Sequence, residues 1–189
     1  MKYQNGIETL HFILREFFEE KGNVFQQAVD HMAACLENKK KILAFGNGGS
    51  AAQAQHFAAE LVNRFLKDRR PFPAVSLTTD TSALTSIAND SRFDFVFSRQ
   101  VEALGEKGDV ALALSTSGRS PNIIEGVRAA GKGGLYTVAL TGKGGGPLAP
   151  LADCLLDIPS VEIPRIQEAH LFLLHLLAGE LEELLVPSD

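Results

Sequence analysis

Only two cysteines, Cys35 and Cys154, stand in the 189 residues. Both fall in apolar helix or strand patterns, and neither has a partner at a metal-ligand spacing. That excludes a disulfide framework and a cysteine metal site, and it points to buried thiols in a reducing compartment. No basic run exceeds Asn38-Lys39-Lys40-Lys41 or Lys67-Asp68-Arg69-Arg70, and the formal net charge is -5. A nucleic-acid groove is therefore not expected. An acidic chain can still bind a small anion where backbone N–H groups and hydroxyls converge. The longest apolar stretch, near the C-terminus, is interrupted by His175, Glu180, Glu182 and Glu183, so no membrane span is expected. The first twenty residues carry Glu8, Arg15, Glu16, Glu19 and Glu20 and lack the apolar core of a signal peptide. The expected location is cytoplasmic. Linkers, low-complexity segments and internal repeats are also missing. With 45% hydrophobic and 22% charged residues, the composition is that of one globular domain, residues 1–189.

What is present is a change of rhythm along the chain. Residues 1–40 read as a helical hairpin. Ile7, Leu10, Leu14 and Phe17 recur at helical spacing, Gly22-Asn23 is expected to break the pattern, and Val24, Ala28, Met32 and Leu36 resume it. From residue 41 to 189, short apolar runs alternate with helical patterns. The runs are 42–45, 74–77, 110–114, 135–140 and 154–158. The helices between and after them are expected at 50–65, 81–88, 93–104, 121–131 and 164–185. Strands without polar alternation are buried on both faces, and strand–helix alternation makes parallel crossovers. The expected fold is α/β, a doubly wound five-stranded parallel sheet with the hairpin in front and a long helix at the end. That last helix is apolar around most of its circumference, which suggests a homo-oligomer with a helical interface.

Two loops stand at strand ends, where open parallel sheets bind ligands. Gly46-Asn47-Gly48-Gly49-Ser50 leads into a helix whose first N–H groups point at whatever lies there. Ser115-Thr116-Ser117-Gly118-Arg119-Ser120 places four hydroxyls in six residues. Ser120 is suited to an N-cap, and Pro121 to the first helical position. Hydroxyls and N–H groups at the positive end of a helix dipole make a phosphate cradle. Gly46-x-Gly48-x-x-Ala51 also matches a dinucleotide fingerprint, but the acid that would close the second strand, Asp80, comes 32 positions after Gly48 instead of about 20. No nucleotide cofactor is expected.

The loop GNGGS, the following His56-Phe57-Ala58-Ala59-Glu60, the loop STSGRS and the late Arg165-Ile166-Gln167-Glu168-x-His170 together resemble the sugar isomerase (SIS) family. Within it they look like the phosphoheptose isomerases, over nearly the whole chain. The resemblance implies an aldose–ketose isomerase acting on sedoheptulose 7-phosphate, early in bacterial heptose and lipopolysaccharide core synthesis. It implies that Asn47, Gly48 and Gly49 line the substrate. Ser115, Thr116, Ser117 and Ser120 would hold the phosphate, with Asn89 and Asp90 on the sugar. Glu60 and His175 would move protons. His56, Glu60, Gln167 and His175 would form the zinc site of some members, with Glu60 and Gln167 also counted among the substrate contacts. A homotetramer with sites at subunit contacts is implied as well. Alternatives are a sugar-phosphate sensor and a non-catalytic protein of the DnaA initiator-associating type. The stretch from Ala51 to Ala59 looks like the latter, but that relative lacks the acid and imidazole that stand here as Glu60 and His175. Ile163 departs from the threonine of many isomerases.

Isomerisation through an enediol needs a base for a carbon-bound proton and an acid or polariser for the oxygens. His56 and Glu60, four apart, share a helix face. By itself that spacing equally describes a surface pair. His175, set among Leu173, Leu174, Leu176 and Leu177, is costly there without a hydrogen bond, whether as a core imidazole or as a catalyst. His170 lies on a neighbouring face with no expected role.

Overall fold

The computed structural model describes residues 3–186. It opens with α1 (Gln4–Glu37), β1 (Ile42–Gly46), α2 (Gly49–Val62), β2 (Ala74–Ser76), α3 (Thr81–Asp90) and α4 (Ser98–Leu104). It continues with β3 (Val110–Ser115), α5 (Pro121–Lys132), β4 (Tyr136–Thr141), β5 (Cys154–Asp157) and α6 (Ile163–Leu185). The five strands are all parallel, in the order β2-β1-β3-β4-β5. β1 and β3 are buried at every position, which is why they read as unbroken apolar runs. α1, α2 and α6 cover one sheet face and α4 and α5 the other.

The expected hairpin is instead one continuous helix of 34 residues. Gly22-Asn23 is a local breaker, but a glycine inside a helix costs only about 1 kcal/mol relative to alanine. Burial of Ile13 and Phe17 on one side and of Phe25, Ala28, Val29 and Met32 on the other outweighs that cost. Phe18 bridges the two halves, edge-on to both Phe17 and Phe25 at 5.1 and 5.5 Å. The stripe continues in phase and docks on α6 and β5.

Burial drives the thiols of Cys35 and Cys154 each up to about 11, so both stay protonated and inert near neutrality. The helix expected at 93–104 is split into a 3₁₀ turn, Phe93–Phe95, and α4.

The strand order reverses direction between β1 and β3, and the crevice of such a sheet opens at that switch point. Gly46 pairs with Leu114 at the carboxyl ends of these two strands. The glycine loop and the hydroxyl loop are thereby set side by side. Gly118 takes a left-handed φ of +61°, and a Cβ there would run into the Gly145 backbone. Gly118→Ala is expected to lower unfolding stability by about 1–3 kcal/mol from the backbone conformation alone, read as a shift in urea midpoint. An unchanged midpoint would mean that the hydroxyl loop can be rebuilt without glycine.

Candidate active site

The cup between the two loops is a cavity of about 70 Å³ lined by Asn47, Ser50, Leu114, Ser115, Thr116, Ser120 and Gln167. Gly48, at φ +56°, turns the chain into α2. A Cβ on Gly49 would lie 2.5 Å from Gln167 Nε2, so a side chain there would push the flexible end of Gln167 out of its place in the cup. Ser120 occupies the N-cap position of α5, yet its hydroxyl makes no cap bond. Asn122 Oδ1 accepts from Ile123 N instead, at 3.0 Å. The Ser120 hydroxyl is therefore free to face a ligand at the positive end of α5. Ser115 Oγ accepts from Gly118 N at 3.1 Å and shapes the loop. Ser117 does not line the cup; its hydroxyl accepts from Arg119 N at 3.2 Å.

Asn122 and Gln53, which the sequence did not single out, brace this cup. The Asn47 and Asn122 side chains exchange two hydrogen bonds, at 2.8 and 2.9 Å, and tie the glycine loop to α5. Gln53 donates to the Gln167 carbonyl at 2.7 Å and ties α2 to α6.

Farther along α2 and α6 a second group assembles. His56 Nε2 lies 2.8 Å from His175 Nε2 and 3.3 Å from Glu60 Oε1. One donor atom from each of His56, Glu60 and His175 fits within 4.8 Å of the others. Two imidazole nitrogens at 2.8 Å require one to carry a proton while the other accepts. All three side chains are part-exposed, so the group opens to solvent and not into the core. Phe65 stacks on the His175 ring, 5.5 Å between centroids at 18°.

Gln167 stands at the cup, eight residues before His175 and so about 12 Å away along α6. Asn89 and Asp90 are exposed at the end of α3, where Asn89 Nδ2 donates to Asp90 Oδ1 at 2.8 Å. Neither lines the cup. Asp90 borders a separate polar depression with Ser86, Ser91 and Arg99. His170 is fully buried against Thr141 O at 3.1 Å.

A five-stranded parallel sheet with a hydroxyl-lined cup at its switch point and an acid–imidazole group beyond it is the frame of a SIS-domain protein, and the SIS domain family model matches residues 7–142. The phosphoheptose isomerase of Azoarcus sp. is 57% identical over 85% of this chain and 83% of its own length. That of Desulfovibrio desulfuricans is 54% identical over 87% of this chain and 79% of its own length. The structure of phosphoheptose isomerase GmhA from Neisseria gonorrhoeae superposes with a TM-score of 0.90 at 44% identity, covering 96% of this chain and 97% of that one. The chain belongs to the phosphoheptose isomerase family.

If the cup holds phosphate, Ser120→Ala removes one hydrogen bond to a charged group. The KM for the phosphorylated substrate is then expected to rise about 10- to 100-fold. The melting temperature should stay put, because the hydroxyl makes no cap bond and has no partner among the described residues. An unchanged KM would take Ser120 out of the cup's function.

Proposed function

We propose that the protein interconverts sedoheptulose 7-phosphate and D-glycero-D-manno-heptose 7-phosphate by proton transfer through an enediol. The observation that carries this reading is the convergence of Glu60 and His175, through His56, at the far end of two helices that also border the hydroxyl cup. In a 7-phosphate the carbonyl end of the chain is as far from the phosphate as the molecule allows, which suits separate anion and proton-transfer sites.

Ser115, Thr116, Ser120 and the positive end of α5 hold the phosphate dianion. The Gly48 and Gly49 backbone and the Asn47 amide lie along the substrate. The Glu60 carboxylate takes the proton from C1, and His175 delivers a proton to the carbonyl oxygen at C2, which gives the enediol. His175, or His56 at 2.8 Å from it, then takes the proton of the C1 hydroxyl, and Glu60 returns its proton to C2. The net change moves two hydrogens and needs no redox partner.

The same two imidazoles and carboxylate are a chemically suitable donor set for zinc. Zinc held by His56, Glu60 and His175 would supply Lewis-acid polarisation of the sugar oxygens; Gln167, seated at the cup, would join them only by leaving it. A carboxylate committed to a metal is a poorer base. Metal analysis of chelator-treated protein alongside turnover decides between the two modes.

A homotetramer fits an apolar groove between α1 and α6, lined by Ile7, Leu10, Leu14, Phe18, Phe172 and Leu176. Ile7 is 71% and Phe172 42% exposed within one chain. A second copy would cover this face, and Asn89 and Asp90 would meet substrate across a subunit contact. No helix among the described residues is long and apolar enough to cross a membrane, and a cytoplasmic location agrees with that.

The test is to incubate the purified protein with sedoheptulose 7-phosphate in heavy water and follow it by NMR. Aldose anomeric signals and deuterium at the transferred position are expected. Phosphosugar binding with no aldose formed would replace this reading with a sensor or a non-catalytic partner protein.

A further inference from the structure

Seven residues after His175, α6 carries Glu182, whose carboxylate pairs with Arg69 at 2.9 Å with each side chain only 1% exposed. Proton transfer as described uses neither residue. A buried ion pair gives little net stability compared with apolar packing of the same volume, so its presence invites a positional explanation.

The hydrogen bonds supply one. Glu182 Oε1 accepts from Phe65 N at 2.8 Å, and Oε2 accepts from Leu66 N and Lys67 N, both at 2.8 Å. Burial opposes the charge on this carboxylate. The three N–H groups and Arg69 more than offset it, and hold the carboxyl below its ordinary range. Arg69 in turn donates to the carbonyls of Glu60 and Leu61, each at 2.9 Å, and so closes the exposed end of α2. Its guanidinium lies 3.9 Å over the Phe72 ring.

The segment following α2 is thus wound around one carboxylate of α6. The result at the site is specific. Phe65 is laid flat on one face of the His175 ring while His56 meets that ring at 70°. Gly179 faces Phe65, whose ring edge lies 3.6 Å from where a Cβ would stand, an ordinary packing distance. The turn of α2 that bears Glu60 is bonded to the same pair through its own backbone carbonyl.

We propose that the buried Arg69–Glu182 pair is a positioning device that seats Phe65 on the His175 ring and fixes that ring relative to the Glu60 carboxylate. Its kinetic consequence rests on the isomerase reading; its structural consequence does not. Two readouts keep these apart. The first is the ring signal of His175 in protein labelled with ¹³C-histidine, assigned by its loss in His175→Gln. A stacked phenyl shields that signal, so Phe65→Leu is expected to move it downfield and Phe65→Tyr to leave it near its original position. Glu182→Gln should reproduce the Phe65→Leu shift although Phe65 is intact. The second readout is turnover of sedoheptulose 7-phosphate. A displacement of the ring by about 1 Å is expected to cost about 100-fold in kcat, in Phe65→Leu and Glu182→Gln alike. KM should stay within about twofold, because the phosphate cup is untouched.

A folded Glu182→Gln protein with the His175 signal unmoved overturns the proposal. If Glu182→Gln does not fold, Phe65→Leu decides alone. A kcat equal to wild type, or a loss not rescued by Phe65→Tyr, overturns the positioning role of the ring. Wild-type protein without turnover would sink the isomerase reading and leave the NMR comparison to judge the clamp.

Discussion

Glu60→Gln is expected to lower kcat for sedoheptulose 7-phosphate by about 10²–10⁴-fold, the span that a positioned proton-transfer group contributes. The amide has the size and much of the hydrogen-bonding capacity of the carboxylate, so α2 and its contact with His56 at 3.3 Å can persist. What it lacks is basicity, and abstraction of a carbon-bound proton cannot proceed without it. With the phosphate held elsewhere, by the hydroxyl loop, as proposed, KM should change little. Loss of kcat at constant KM marks an interaction made in the transition state and not in the ground state. Solvent deuterium should also stop entering unreacted substrate, because that exchange reports the first proton removal alone. Measuring metal content beside kcat makes the result unambiguous about mode. If Glu60 is the base, the variant stays inactive at full metal loading. If it serves only as a ligand, activity should follow occupancy and return as zinc is raised. A variant with wild-type turnover under metal-free conditions would remove the proton-transfer scheme altogether.

The legibility of this protein divides by sequence distance. The central strands were readable because a parallel strand buried on both faces is apolar along nearly its whole length, as β1 and, up to Ser115, β3 are; the edge strands β2 and β5 are only partly buried and were read from their short apolar runs. The two loops were readable because each packs its chemistry into six residues or fewer. The pairing of His56 with Glu60 followed from helical periodicity. The larger architectural misreading, a hairpin in place of α1, came from weighing Gly22-Asn23 as a breaker without the α6 and β5 surfaces that hold the helix straight. Side chains that meet across long separations left no local trace. Asn122 finds Asn47 across 75 residues and Glu182 finds Arg69 across 113. A glutamate in the last turns of a helix reads as solvent-facing until the fold buries it. The family resemblance supplied the late positions Gln167 and His175 as site candidates. Of these the fold brings His175 to Glu60, while Gln167 stands at the cup.

His170 had no expected role, and its burial now predicts one in stability. The ring is completely buried, and Nε2 donates to the Thr141 carbonyl at the end of β4, so Nδ1 is the unprotonated acceptor. Nδ1 has no partner among the described residues. Desolvation therefore presses against the charged form, and although the Thr141 bond acts the other way, the pKa falls from 6.5 to about 4. In the unfolded chain the same imidazole takes up its proton near 6.5. Between these two pH values unfolding binds a proton, so stability falls as the solution is acidified from 6.5 toward 4 and is flat with respect to this group above 6.5. The full effect is about 3 kcal/mol, at 1.36 kcal/mol per pH unit between the two values. Glu182, held below its ordinary 4.5, loses its contribution only at lower pH, as it is protonated in the folded state. Urea unfolding at fixed protein concentration between pH 4.5 and 7.5 thus stays clear of the Glu182 loss, and comparison with a variant singles out this imidazole among the five histidines. His170→Gln, whose amide can still donate toward Thr141, is expected to be less sensitive to pH across that window than the wild type. If both proteins lose the same stability between pH 6.5 and 4.5, the acid sensitivity arises elsewhere and the buried imidazole is not its source.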